Sequence, residues 1–287
     1  MFQIITDSTT DLPESYFKEH NIKVVNLKCI IDGVQYGVDK FLSSDEFYSL
    51  IRGGKMPTTS QVNPDEAYKA IEEVLEKGNE ILIVAFSSGL SGTYNSFRLA
   101  AEEIKADYPD ADILVVDTLA ASLGEGLLLD YAIRMRDAGK SMRETRDWLE
   151  AHKNNLVHMF TVDDLNHLYR GGRVSKTVAI IGTIAGIKPV LHVDYEGHLI
   201  PLRNVRGRKK SLTALVDDME AKMGSFKDKN DVVFISHGDC YDDAKFVADE
   251  IEKRFGKKEF LFNALGPVIG SHAGPGTVAL FFLGDKK

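Results

Sequence analysis

Three clusters of small polar residues could hold or transform an acidic group. In the first, the apolar run Ile81–Phe86 breaks into Ser87-Ser88-Gly89-Leu90-Ser91-Gly92-Thr93. Tyr94, Phe97, Ala101 and Ile104 then recur at helical spacings of three and four. Strand, small-residue turn and helix start together offer free amides and a positive dipole end to an anion. The hydroxyls of Ser87, Ser88, Ser91 and Thr93 add donors, so an anionic head group is expected here. The second cluster is Thr58-Thr59-Ser60-Gln61, read as a polar loop. The third is His272, within Gly270-Ser271-His272-Ala273-Gly274-Pro275-Gly276, read as a loop too rich in glycine for ordinary core. Taken singly, each hydroxyl reads equally well as a helix cap, Ser91 above all. Asp7, at the end of the first strand, reads first as capping the next helix or fixing a loop.

These residue types also allow a second chemistry. Ser91 as nucleophile, His272 as base and Asp7 as its orienting carboxylate would make a serine hydrolase for acyl esters. The spacing weighs against it. Gly89-Leu90-Ser91-Gly92-Thr93 places its second glycine one residue early for the GxSxG elbow. Other familiar chemistries fail more plainly. HExxH is absent, and no GxGxxG follows the first strand. Gly171 to Thr177 ends in Ser-Lys-Thr, but Ser175 stands where a P-loop needs glycine. Cys29 and Cys240 are far apart, which suits a reducing compartment and supplies no metal framework. No metal or cofactor is expected.

The elements that must position these clusters alternate in the first half. Strands are expected at Phe2–Thr6, Lys23–Ile31, Ile81–Phe86 and Ile113–Val116. Helices start at the capping boxes Ser43/Glu46 and Ser141/Glu144, and at Asn63 with Pro64 in the first turn. Such alternation implies a mostly parallel sheet flanked by helices. The second half mixes helices with a hairpin, Lys188–Asp194 and Leu199–Val205 about Tyr195-Glu196-Gly197, and reads as a mixed α+β sheet. The expected architecture is an α/β domain over 1–160 and an α+β domain over 161–287.

At 287 residues, 44% hydrophobic and 27% charged, the chain can bury a large core and still keep a ligand cavity. Its formal charge of −8 argues against nucleic acid as the main partner. The N-terminus lacks the basic and apolar regions of a signal peptide, and no stretch reaches the ~18 apolar residues of a membrane span. A cytoplasmic location is expected. Arg203, Arg206, Arg208, Lys209 and Lys210 form a basic run that suits either a solvated face or an acidic partner.

Several separate segments resemble the DegV family, in order along essentially the whole chain. They are Asp7-Ser8-Thr9-Thr10-Asp11-Leu12-Pro13, Thr59-Ser60-Gln61, Ser87–Tyr94, Leu168-Tyr169-Arg170-Gly171-Gly172-Arg173, Lys188-Pro189-Val190-Leu191 and Gly270–Gly276. That family includes the fatty-acid-binding (FakB) subunits of a bacterial fatty acid kinase. The resemblance implies a long-chain fatty acid held between two α/β domains. Its carboxylate would meet Thr59, Ser91 and His272, with Ser88 and Ser60 as weaker transfers by adjacency. Its tail would lie in a tunnel lined by Ile180, Ile184 and Ile187 among other apolar residues. A DhaK-like fatty acid kinase would phosphorylate the carboxylate, docking on Arg170, Arg173, Arg203 and Arg206. The acyl phosphate would feed phospholipid synthesis, and the protein would be a carrier without catalysis of its own. Burial of a methylene is worth about 0.8 kcal/mol, so a sixteen-carbon tail supplies on the order of 12 kcal/mol before binding costs.

Overall fold

Side-chain alternation along two sets of strands decides the layering. A computed structural model of the protein describes residues 1–78, 80–177 and 186–287. In the first half the strands are β1 (Gln3–Asp7), β2 (Lys23–Val25), β3 (Lys28–Ile31), β4 (Val34–Tyr36), β5 (Thr58–Ser60), β6 (Glu80–Ala85) and β7 (Asp112–Asp117). The second half adds β8 (Leu156–Thr161), β9 (Ile187–Val193), β10 (Leu199–Arg206), β11 (Val232–His237), β12 (Glu259–Ala264) and β13 (Val278–Leu283). A parallel sheet runs β2-β1-β6-β7. A mixed sheet runs β10-β9-β8-β13-β11-β12, with only β11 and β12 parallel. A small antiparallel sheet, β4-β3-β5, stands apart.

Ile5, Ile81, Ile83 and Ala85 turn one face of the parallel sheet toward helices Pro64–Leu75 and Thr93–Glu103. Ile4, Leu82 and Val84 turn the other face toward helix Leu123–Asp137. The same period of two divides the mixed sheet. Phe160, Phe234 and Phe281 face inward to the core of Leu123–Asp137, while Met159, Ile235 and Phe282 face outward to helices Arg208–Lys222 and Tyr241–Phe255. Helix Leu123–Asp137 therefore lies between two sheets, and it is buried on nearly every side, as its Leu127-Leu128-Leu129 run requires.

The expected capping boxes at Ser43/Glu46 and Ser141/Glu144 are formed, and Asn63 makes a third with Glu66. Other expectations change. Lys23–Ile31 is two strands in different sheets, because the chain leaves the parallel sheet after Val25 and pairs with β5. Thr58-Thr59-Ser60 is a strand, not a loop. The boundary placed at residue 160 passes through β8, whose residues all pair within the mixed sheet; the chain changes sheet at the turn 153–155. Pro267–Ala273 is a helix rather than loop, and it packs back onto the first half through Ile269 and Ala273 against Cys29, Phe47 and Tyr48. Among the described residues no helix is long and apolar enough to cross a membrane.

Three carboxyl groups are buried where β1 ends. Asp7 caps the turn after it, as expected, accepting from Thr9 N–H at 3.0 Å, and also accepts from Phe86 N–H at 2.9 Å. The Thr9 hydroxyl lies 2.5 Å from Asp7 Oδ1 and 2.9 Å from Glu125 Oε2. Burial, then the charges of Asp7 and Asp11, hold the Glu125 carboxyl well above the usual carboxylate range. Burial likewise raises Asp7, and pushes Asp11 up to about 7. A raised acid contributes stability that is present at low pH and lost as pH climbs through its folded value. Glu125→Gln imitates the protonated acid, with an amide to donate and an oxygen to accept from Thr9. It should melt at least roughly 2–4 °C above wild type at pH 8, the shift of about 1 kcal/mol in a domain of this size, and match it only below about pH 4, where the unfolded carboxyl is protonated too. A lower melting temperature at pH 8 means that Glu125 is ionised.

Candidate functional site

The short strand β5 carries the first site residue. Its middle residue, Thr59, is turned inward opposite Cys29 on β3, while Thr58 and Ser60 are exposed. Helix Pro267–Ala273 lies alongside and brings His272 to Thr59, with Nε2 and Oγ1 at 2.8 Å. On the other side of the imidazole is Gly171, where a Cβ would stand 2.0 Å from His272 Nδ1, so no larger residue fits there. His272 Nδ1 is buried without a hydrogen-bond partner. Burial, then the charge of Arg173, lowers the His272 pKa to about 4, so the ring is neutral near pH 7.

Arg173 joins two loops across the seam. Its Nε and Nη2 donate to Leu90 O at 3.1 and 2.8 Å, and Nη1 donates to Gly171 O. Ser91 sits one turn away, its Oγ accepting from Thr93 N–H at 3.2 Å and lying 2.9 Å from Thr93 Oγ1. The capping role expected of Ser91 is thus present in part, since Thr93 opens helix Thr93–Glu103.

A cavity of about 200 Å³ joins these groups. Thr59, Gln61, Ser91, Arg173 and His272 supply polar wall; Phe86, Leu90, Phe160, Leu199, Val268 and Phe281 supply apolar wall. It opens beyond the C-terminal ends of the parallel strands, where α/β sheets place ligands, and runs against the inner face of the mixed sheet. A second hollow of about 370 Å³ meets Thr59 and His272 from outside. Lys55, His167, Arg170 and Arg173 border it, and among the described residues no carboxylate does. This is unusual for the chain. Nine of its twelve arginines pair with a carboxylate; among the described residues Arg170, Arg173 and Arg206 do not. Two of those three border the same hollow.

Thr59, Ser91 and His272 therefore line one cavity, but Ser60 and Ser88 are exposed and outside it. Alternation along β5 turns Ser60 away, and Ser88 N–H is tied to Asp117 instead. Ile187 opens β9 half-buried and outside the lining, while Ile180 and Ile184 lie outside the described residues. The apolar wall comes instead from loops and from inward residues of β8 and β13. Two of the five residues of the basic run are neutralised: Arg203 pairs with Asp218 at 2.8 Å and Arg208 with Asp243 at 2.7 Å. A hydrolytic triad is not assembled. His272 Nε2 meets Thr59 rather than Ser91, and Asp7 is committed to Thr9 and Phe86. Among the described residues no cluster of His, Cys, Asp or Glu could hold a metal ion.

Fold and site define an α/β protein with two main sheets and a largely apolar cavity whose polar end carries hydroxyls, an imidazole and the Arg173 guanidinium. The family model for DegV, described as uncharacterised, matches residues 1–285, and the chain belongs to the DegV family. A DegV domain-containing protein of Clostridium perfringens is 47% identical over 288 residues, covering 100% of this chain and 98% of the relative. A DegV family protein of Thermus thermophilus, described by its fatty acid binding, is 31% identical with a TM-score of 0.87, over 99% of both chains. A Thermotoga maritima protein, described as revealing a fatty acid binding function, is 29% identical with a TM-score of 0.83, again over 99% of both chains.

The imidazole gives a direct check. Because its folded pKa lies below the ordinary 6.5, its contribution to stability is present above about pH 6.5 and lost as pH falls toward about 4. In ligand-free protein, the His272 ring signal, assigned by its loss in His272→Gln, should titrate near 4. Arg173→Leu should raise that value without restoring 6.5. Titration at 6.5 in the wild type would place the ring in open solvent.

Proposed function

We propose that this protein binds a long-chain fatty acid, with its tail in the apolar cavity and its carboxylate at Thr59, Ser91 and His272. The observation that carries this reading is the 2.8 Å pair of Thr59 and His272 in the wall of a cavity whose apolar wall includes Phe86, Leu90, Phe160, Val268 and Phe281. Tail burial supplies most of the affinity, so the head group needs orientation more than strength. Hydroxyls donate to the carboxylate, and the Arg173 guanidinium, which has no carboxylate of its own among the described residues, supplies positive charge nearby. The relatives described as fatty acid binding support the same ligand class.

The finer reading is that of a carrier without catalysis of its own. A separate fatty acid kinase would approach through the outer hollow, where Arg170 faces the carboxylate site without a carboxylate partner. The fatty-acid oxygen attacks the γ-phosphorus of ATP, ADP leaves, and the resulting acyl phosphate is passed to phospholipid synthesis. Arg170 and Arg173, with Arg203 and Arg206 on the edge strand β10, form the proposed docking face. A basic hollow beside the carboxylate site suits a charged co-substrate arriving from outside better than it suits hydrolysis.

Native mass spectrometry of freshly purified protein tests the ligand. A copurified fatty acid is expected, or uptake of one equivalent of hexadecanoate after delipidation. Ser91→Ala and Thr59→Val should each weaken hexadecanoate binding about tenfold, the size of one lost hydrogen bond to a charged group. No lipid and no uptake would end this reading. With a fatty acid kinase and ATP, hydroxylamine trapping should show acyl phosphate, and Arg170→Ala should reduce it while leaving hexadecanoate bound.

A further inference from the structure

His272 reaches Thr59 only because a seven-residue helix from the second half is anchored in the first half. The anchor is Asp11. Its backbone is left-handed, with φ 52°, which turns the side chain back across the seam. Oδ1 accepts from Gly266 N–H at 2.9 Å, at the residue before helix Pro267–Ala273. Oδ2 accepts from the Ser122 hydroxyl at 2.7 Å, and the backbone carbonyl accepts from Asn263 Nδ2 at 2.6 Å. A Cβ at position 266 would stand 2.9 Å from Asp11 Oδ1, so the contact depends on glycine there. His272 lies six positions beyond Gly266, about 9 Å of helix at the usual rise.

We infer that Asp11 is a positioning residue for His272: by holding the start of helix Pro267–Ala273, it sets where the imidazole meets the ligand carboxylate. Asp11 is not among the residues lining the cavity and acts through the helix. Asp11 and Gly266 face each other across the same seam that the ligand occupies. A shift of the helix start is carried to its far end, because a single short helix moves as a unit. The inference rests on the fatty-acid reading for its ligand, and its test separates the two.

Affinities for hexadecanoate and for hexadecan-1-ol are measured in wild type, Asp11→Ala and Asp11→Asn. Asp11→Ala should weaken hexadecanoate about tenfold and the alcohol less than threefold, since only the carboxylate depends on the placed imidazole. Asp11→Asn should restore most of the loss, because its Oδ1 still accepts from Gly266 N–H. In a His272→Gln background, Asp11→Ala should add nothing. Equal weakening of both ligands, or additive losses in the double variant, would overturn the inference in favour of a merely structural role. Where Asp11→Ala does not fold, Gly266→Ala makes the same comparison by pushing the helix start from the carboxylate. If wild type binds neither ligand, the fatty-acid reading has failed. The His272 ring signals of ligand-free protein then decide: movement in Asp11→Ala supports positioning, and unmoved signals refute it.

Discussion

The hydrogen bond between Thr59 and His272 depends on nearly everything else in the molecule. One partner comes from a three-residue strand in the first half and the other from a seven-residue helix in the second, 213 positions later. Neither element is stable by itself; about two turns of helix or a three-residue strand gains little from its own hydrogen bonds. Both are held by packing. The small sheet rests on helix Ser44–Arg52, and helix Pro267–Ala273 fills the other side of that core with Ile269 and Ala273. The neutral polar pair marks where these two supports meet.

That arrangement explains why the cavity lies at the seam. Parallel strands end in loops at one edge, and the loop after β6 carries Ser87 to Ser91 there. The inner face of the mixed sheet supplies Phe160, Ala279 and Phe281 opposite it. Helix Leu123–Asp137 fills much of the rest of the gap between the sheets, so the cavity is the part of a shared interior that this helix leaves open. Its charge pattern follows. Buried carboxyl groups sit on the β1 side, where burial raises the Glu125 pKa, and guanidinium groups with no carboxylate partner among the described residues sit on the Arg170 and Arg173 side. An acidic ligand is thereby met by donors and positive charge rather than by fixed anions.

Much of this was legible in the sequence. The β-branched run Ile81–Val84 and the alternating halves foretell the parallel sheet, and Ser43/Glu46 and Ser141/Glu144 mark helix starts through local hydrogen bonds alone. The DegV segments led to Thr59, Ser91 and His272, which the fold brings to one cavity. What was not legible depends on distant partners. Thr58-Thr59-Ser60 has no strand signature longer than three residues, and its pairing with β3 is a tertiary event. The Gly270-containing segment is a poor helix former, and packing on Phe47 and Tyr48 overrides that preference. Inward residues such as Phe160 and Phe281 look like any core residue, because period-two burial does not reveal whether the space opposite is filled. The pairing of Arg203 with Asp218 crosses from a strand to a helix, so the run of basic residues overstated the free charge.

The central claim is that the carboxylate of a fatty acid lies against Thr59, Ser91 and His272 with its tail in the cavity. A crystal structure of the protein with a terminally brominated hexadecanoate tests it most directly. The account predicts a bromine anomalous peak inside the protein, near the inner face of the mixed sheet, and carboxylate oxygens within hydrogen-bond reach of the Thr59 and Ser91 hydroxyls. A peak at the protein surface, or a carboxylate facing away from His272, would contradict it.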